Sequence, residues 1–209
     1  HESGWFPSPL PAIYSGEKMK GFREWLGADS FMAGLSLGGS LVSSNIEDYY
    51  LSPYDLGYGH IVKFDHDFVG RAALEVKQNQ PHRHKRTLRW SKDDVVRVFA
   101  SQLGEGERFK FMDMPASHYA TCPYDLVSAS GAPVGISHYP VYTSNVRGWI
   151  SLALLDEDVA TPGTKVSLTW GEPDGGSAKP TVESHVQTEI ACVVEPCPIS
   201  VTAREQYKK

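Results

Sequence analysis

The chain is poor in cysteine, with three in 209 residues, Cys122, Cys192 and Cys197. An odd number at those separations fits neither the disulfide framework of a small secreted domain nor the paired spacing of a zinc site, and points to a reducing, cytoplasmic setting. Long hydrophobic runs are also missing. No apolar stretch approaches the roughly 18 residues a membrane span requires, and the N-terminus lacks the basic, apolar, small-residue order of a secretory signal. No membrane partner is expected. Nor is there an excess of positive charge. The formal net charge is -5, whereas nucleic acid or an anionic membrane would need a broad basic face. The one basic cluster, His82-Arg83-His84-Lys85-Arg86, reads as a solvated linker.

Several catalytic signatures are absent too. There is no Gly-x-Ser-x-Gly elbow, and no cysteine has activating surroundings. Cys122 precedes a proline in a loop and Cys192 falls on the buried side of a strand pattern, so both read as structural. The Gly38-Gly39 pair is not followed by the Lys and Ser/Thr that a phosphate-binding loop needs. His82-x-His84 has a spacing a barrel metal site could use, but Thr87 to Trp90 supply no carboxylate to complete it. His60, His66, His118, His138 and His185 are scattered and read as satisfied surface or core groups. No metal is expected.

What is present is enough apolar material for a core: 41% of residues are hydrophobic and 22% charged, which suits one domain or two small ones. Trp5-Phe6-Pro7-Ser8-Pro9-Leu10-Pro11 predicts an extended, rigid loop, because alternating prolines remove backbone donors. Residues 17–26 place Met19, Phe22, Trp25 and Leu26 at helical spacing and predict one short amphipathic helix. Residues 31–44, with Gly34, Gly38 and Gly39 among alternating apolar positions, predict a strand with a bulge or a close backbone approach. The polar segment 76–86 is the best boundary in the chain, dividing residues 1–78 from 79–209.

Beyond that boundary the texture changes to short β-forming runs at regular spacing: "TLRWS", "VVRVFAS", "RFKFM", "DLVSA", "PVGISHY", "RGWISLALL", "TKVSLTW" and "TVESHVQTEIACVV". Gly- and Pro-containing turns such as "SGAP", "TPG" and "GEPDGG" join them. The prediction is a mainly β protein with some α, its second part a closed or nearly closed barrel. In the last run Val182, Val186, Ile190, Cys192 and Val194 share one parity and Glu183, His185, Gln187 and Glu189 the other, as in a half-buried strand.

Glu47-Asp48-Tyr49-Tyr50 offers acceptors beside flat aromatic faces. A planar heterocycle with amino and amide groups would suit it. A turn with its acids in water and its tyrosines on a core edge is the reading that composition alone favours.

"LSPYDLGYGHIVKFDHDFVGRAALE", residues 51–75, resembles a segment of the glycine-cleavage T-protein (aminomethyltransferase) family. The matching positions are Asp48, Ser52-Pro53, Leu56-Gly57-Tyr58 and Phe68-Val69-Gly70-Arg71-Ala72-Ala73-Leu74. "RGWISLALLDEDVATPGTKVSL" is similar to that family's C-terminal barrel stretch. The segment "WFPSPLPAIYSGEKMKGFREWL", with "LGGSLVSSNIEDYYLSPYDLGYG" and the "PTVESHVQTEI" and "PCP" ending, is closer to the tetrahydrofolate-dependent aromatic O-demethylases of the vanillate, syringate and 3-O-methylgallate group.

The resemblance implies an aminomethyltransferase-type β-barrel plus a partial α+β folate-binding unit, with tetrahydrofolate as cofactor and an aromatic methyl ether as substrate. Glu2-Ser3-Gly4 looks like the family step whose glutamate hydrogen-bonds the pterin. A carboxylate can accept the pterin's amino group and ring N–H together. Trp5 would form an aromatic wall, and Asp48 and Tyr49 would complete the cofactor-binding set. The catalytic proton donor is not assigned, since the tyrosine implicated in this family precedes the Glu-Ser-Gly step. The chain begins with His rather than Met and is expected to be the C-terminal part of a larger enzyme, inactive alone, with the missing N-terminal portion as its partner. Two alternatives stay open: an aminomethyltransferase working with a lipoyl carrier, and a noncatalytic folate-binding or interaction module.

Overall fold

A computed structural model describes residues 1–6, 16–27, 37–117, 122–176 and 182–206. In chain order the strands are β1 (Leu37–Gly38), β2 (His84–Trp90), β3 (Cys122–Pro123), β4 (Asp125–Ala129), β5 (Ala132–Thr143), β6 (Gly148–Leu155), β7 (Lys165–Trp170) and β8 (Thr188–Glu195). Six of them close an antiparallel barrel in the order β2-β6-β5-β4-β7-β8, with β8 returning to β2; β1 and β3 form a separate parallel pair. Closure gives each of these six strands a partner on both sides over part of its length. The mainly β fold with a closed barrel is the architecture expected from the strand texture.

Alternation along the strands explains the two hydrophobic cores. Successive side chains point to opposite faces, and β6 is buried on both. Trp149, Ala153 and Leu155 join one cluster with Leu88, Val127, Leu168, Ile190 and Val194. Leu152 and Leu154 join a second with Phe6, Tyr49, Tyr124, Ile136 and Tyr139. The second cluster is where the N-terminal residues cover the outside of β5 and β6. In the first, Trp90 meets Trp170 edge to face at 5.5 Å, and its indole N–H donates to Ser151 Oγ at 2.9 Å.

Two expected strands are not formed. "VVRVFAS" lies mostly in a helix, α3 (Lys92–Ala100), which follows α1 (Lys20–Trp25) and α2 (Arg71–Lys77) and precedes α4 (Val201–Glu205). The β-branched valines mislead here, because capping and packing outweigh local propensity. Ser91 Oγ accepts from Asp94 N–H, Asp93 and Asp94 occupy the first turn, and Val95 and Val98 are buried. "RFKFM" is extended but contributes only an isolated bridge from Phe109 to Val186. In the last run Ile190, Cys192 and Val194 are buried as expected, yet His185, assigned to the outward parity, is buried as well. The strand begins only at Thr188, and the chain before it turns His185 inward.

The helix expected at 17–26 is present as a 3-10 turn, Glu17–Met19, running into α1. Its apolar residues are not in a core: Trp25 is 76% exposed. The prolines of residues 7–11 and residues 31–36 lie outside the described residues. At Gly39 the close approach expected of the glycine pair is found. Its φ is +89°, and a Cβ there would sit 2.4 Å from the carbonyl oxygen of Tyr124. Among the described residues no helix is long and apolar enough to cross a membrane.

Candidate functional site

The segment 51–75 builds a wall beside the start of β2. Ser52 opens a turn in which its N–H and its hydroxyl both donate to Asp55 Oδ2, at 2.8 and 2.6 Å. Asp55 Oδ1 accepts from the backbone N–H of Arg83 at 3.1 Å, fastening the turn to the chain entering β2. Burial opposes charge on Asp55, but the hydrogen bonds from Ser52 and Arg83 outweigh it and hold its pKa below the usual carboxylate range. Tyr54 stacks on His82 with ring centres 4.8 Å apart, and Lys85 Nζ lies 4.3 Å over the Tyr58 ring.

The basic cluster His82 to Arg86 is therefore not a solvated linker. His84, Lys85 and Arg86 lie in β2, Arg86 Nε donates to the Ala160 carbonyl at 2.6 Å, and Arg83 pairs with Asp156 at 3.5 Å. Aromatic neighbours and carbonyl acceptors are near enough to draw these cations out of bulk water.

Two clefts meet at Arg83. One, of about 500 Å³, is lined by Gly4, Trp5, Tyr54, Tyr58, Lys85 and Cys197 among others. The second, of about 520 Å³, is lined by Asp48, Tyr50, Asp55, His82, Asp156 and Glu157 among others. Trp5 is 61% exposed and lines the first. Gly4 has φ +70°, and a Cβ there would meet Cys197 Sγ at 2.6 Å, so the Glu-Ser-Gly step needs its glycine to lie against the chain after β8. Burial pushes the Cys197 thiol up despite the nearby Lys85, which keeps it from serving as a thiolate.

The four residues proposed from sequence are not gathered in one cavity. Glu2 projects toward the β5–β6 hairpin, where Asn145 Nδ2 donates to its two carboxylate oxygens at 3.0 and 3.3 Å. Asp48 faces the second cleft and accepts from Ser43 Oγ at 2.5 Å and Asn45 Nδ2 at 3.2 Å. Tyr49 is only 6% exposed; its hydroxyl accepts from Ser43 N–H, and its ring packs edge to face on Tyr124 at 5.4 Å. Of the tyrosine pair it is Tyr50, 44% exposed, that lines the second cleft.

Sequence reasoning named His185 only as a satisfied surface or core group and missed the buried ionic group it joins near β1. Lys110 Nζ donates to Glu172 Oε1 at 2.8 Å, with both side chains nearly inaccessible. Glu172 Oε1 also accepts from Gly39 N–H at 2.9 Å, and Asp125 Oδ1 from Ser40 N–H at 3.3 Å. Ser40 Oγ donates to the Thr169 carbonyl at 2.7 Å and accepts from Leu126 N–H at 2.8 Å. Burial pushes Asp125 up to about 7, with Lys110 working against it and Glu172 reinforcing it. Burial also opposes ionisation of Glu172, but His185 and Lys110 outweigh it and hold Glu172 well below its usual range. His185 Nε2 accepts from Glu172 N–H at 2.9 Å and stands 3.3 Å from Oε2 of the same residue. Burial disfavours its charge; the carboxylate prevails and raises its pKa. The group staples residues 38–40 to the barrel wall.

Among the described residues no group of three or more His, Cys, Asp or Glu could hold a metal ion. Cys192 is buried, and the Cys122 side chain and His118 lie outside the described residues.

No family model matches the chain. It is 48% identical to a syringate O-demethylase from Sphingobium sp. over 206 residues, 99% of this chain and 45% of that protein. It is 30% identical to a sesamin methylene transferase from Sinomonas sp. over 188 residues, 83% of this chain and 41% of that protein. The chain thus spans less than half the length of each of these two relatives.

Proposed function

We propose that the chain is part of an enzyme that removes a methyl group from a methoxylated aromatic acid, with tetrahydrofolate as acceptor. The observation that carries the reading is the 48% identity to a protein named for syringate demethylation, spread over 206 residues rather than confined to one motif. When bound, tetrahydrofolate would supply the N5 nitrogen that receives the methyl group.

The residues present fit one side of such a group. Among the described residues the Glu2 carboxylate accepts from Asn145 alone, and it has lone pairs to spare for adjacent N–H donors. Trp5, exposed in the cleft, would stack against a flat ring. Arg83 and Lys85 set positive charge at the adjoining cleft, suited to a carboxylate on either cofactor or substrate. Tyr49 fits less well, since its ring and hydroxyl are already engaged. The work of these residues is to bind, orient and exclude water, which is how a reaction with a poor phenolate leaving group gains from a held geometry. The proton donor and the rest of the wall would come from the remaining part of the enzyme, and residues 1–78 are assigned to its folate-binding unit, 79–209 to the barrel.

A second reading has its own support. The 30% relative is named for moving a methylene group, so a substrate whose one-carbon unit bridges two aromatic oxygens is the alternative.

The test is to incubate the complete enzyme with tetrahydrofolate and syringate, vanillate or a methylenedioxy-bridged aromatic, and to follow both the freed phenol and the folate product. Formation of 5-methyltetrahydrofolate supports the first reading, and 5,10-methylenetetrahydrofolate the second. Phenol release without folate overturns both. Glu2→Gln should weaken folate binding roughly tenfold to a hundredfold, the worth of one charge-assisted pair; unchanged binding would remove Glu2 from the site. The 209-residue chain alone is expected to show no turnover.

A further inference from the structure

A third cavity, of about 490 Å³, lies between α3 and the β5–β6 hairpin and shares no lining residue with the two clefts at Arg83. Its floor is aromatic: Phe99, Tyr142 and Trp149 line it, and Phe99 packs 6.5 Å from Trp149 between ring centres. Two of its apolar lining side chains are open to solvent, Val96 at 56% and Met114 at 58% exposed. Isolated apolar residues on a surface need no explanation, but apolar residues rimming a concave aromatic floor do.

Cations surround that floor. Lys92 opens α3, and Arg147 sits in the hairpin turn with φ +54°. Among the described residues neither forms an ion pair, whereas Arg89 on the same rim is engaged by Glu195 at 3.0 Å. Two open cations beside an aromatic floor complement one kind of occupant, an apolar ring bearing a single negative group. The volume is that of a small-molecule pocket, within the range of roughly 300–1,000 Å³.

We propose that this cavity binds a small aromatic carboxylate, its ring against Phe99 and Trp149 and its carboxylate between Lys92 and Arg147. The site rests on its own geometry and holds whether or not the folate reading does. The hairpin gives it a neighbour. Asn145, two residues before Arg147, holds Glu2, so an occupant gripping Arg147 pulls on the same turn that positions that carboxylate.

The test uses the 209-residue chain carrying 13C-methyl methionine, with naphthalene-2-carboxylate as probe and naphthalene-2-carboxamide as its uncharged counterpart. Met114 is one of four methionines, with Met19, Met32 and Met112, and its signal is assigned from the spectrum of Met114→Leu. The carboxylate should shift the Met114 signal saturably, leave Met19 unmoved, and bind at least about tenfold tighter than the carboxamide. In Lys92→Gln/Arg147→Asn, where asparagine tolerates the left-handed backbone, carboxylate binding should weaken about tenfold while carboxamide binding changes less than about twofold. Val96→Asp, at an exposed position, should abolish saturation by placing a like charge in the mouth. A non-saturating shift, an equal shift at Met19, or an affinity unmoved by the double variant would overturn the proposal. So would equal binding of carboxylate and carboxamide, the behaviour of an apolar surface for another macromolecule.

Discussion

Replacing Lys110 by methionine removes the cation from a closed group while roughly preserving its volume. The Lys110 side chain is 1% exposed and its ammonium donates to Glu172 Oε1 at 2.8 Å. Without it a carboxylate that also accepts from Gly39 would remain buried in the electrostatic reach of Asp125, with His185, 3.3 Å from Oε2, as its remaining titratable partner. Breaking one side of a buried pair costs about 3–5 kcal/mol, far above the 0–1 kcal/mol of a surface pair. Adding Glu172→Gln removes the stranded charge while leaving an amide oxygen for the Gly39 N–H, and should recover roughly 2 kcal/mol of that loss. The pH dependence has a definite sign. Native Glu172 has a depressed pKa, so its contribution is present above the ordinary value of 4.5 and fades as pH falls. In Lys110→Met the carboxylate pKa rises, protonation on acidification relieves the buried charge, and the deficit relative to the native chain should narrow between pH 7.5 and pH 5. Urea unfolding of the three proteins at both pH values measures this. A deficit below about 1 kcal/mol, or one equal at both pH values, would refute the assignment of the pair as the staple.

Burial pushes His138 down to about 3, so the unfolded chain takes up a proton below about pH 6.5 that the folded chain refuses, and stability falls with pH from there toward 3. His138→Gln should flatten that slope between pH 4 and 6, read from urea midpoints; superimposed slopes would show that the imidazole does not stay neutral. Gly39→Ala combines a left-handed backbone with a 2.4 Å contact to the Tyr124 carbonyl and should cost more than about 2 kcal/mol, a loss a thermal melt detects easily. Ser91→Ala removes the cap on Asp94 N–H at 3.3 Å and should cost about 1 kcal/mol; no change in unfolding midpoint would mean that tertiary contacts alone hold α3.

The barrel was legible because its evidence is local and repetitive. "GWISLALL" and "KVSLTW" carry β-formers between turn residues, and that repetition is enough to announce the strands, though not their register. The helix α3 was hidden by Val95, Val96 and Val98, although Ser91 followed by Asp94 was a start signal available in the sequence. The ionic staple is a different kind of omission. Lys110, Asp125, Glu172 and His185 come from four places in the chain, and Glu172 sits in a stretch that reads as a turn. Only closure of the barrel brings them together, and no spacing rule reports it. The same limit applies to Tyr49 and Tyr50: adjacent tyrosines are equivalent in composition, and the 3-10 turn at 46–49 decides which one meets solvent.

The strand β2 carries a consequence that reaches beyond either cavity. It is the strand that closes the barrel, bonded to β6 on one side and β8 on the other, and its length joins two sites. Residues at its start line the cleft with Trp5, while Arg89 and Trp90 at its end line the pocket under α3. Thr87 to Arg89 are bonded on both sides and cannot fray as an edge does, whereas His84 to Arg86 are bonded to β6 alone. The central amides of β2 should exchange with solvent deuterium only when the whole cylinder opens, among the slowest in the molecule. A ligand held at one end would then protect the same amides as a ligand held at the other, and the two occupancies would report through a single, shared rate.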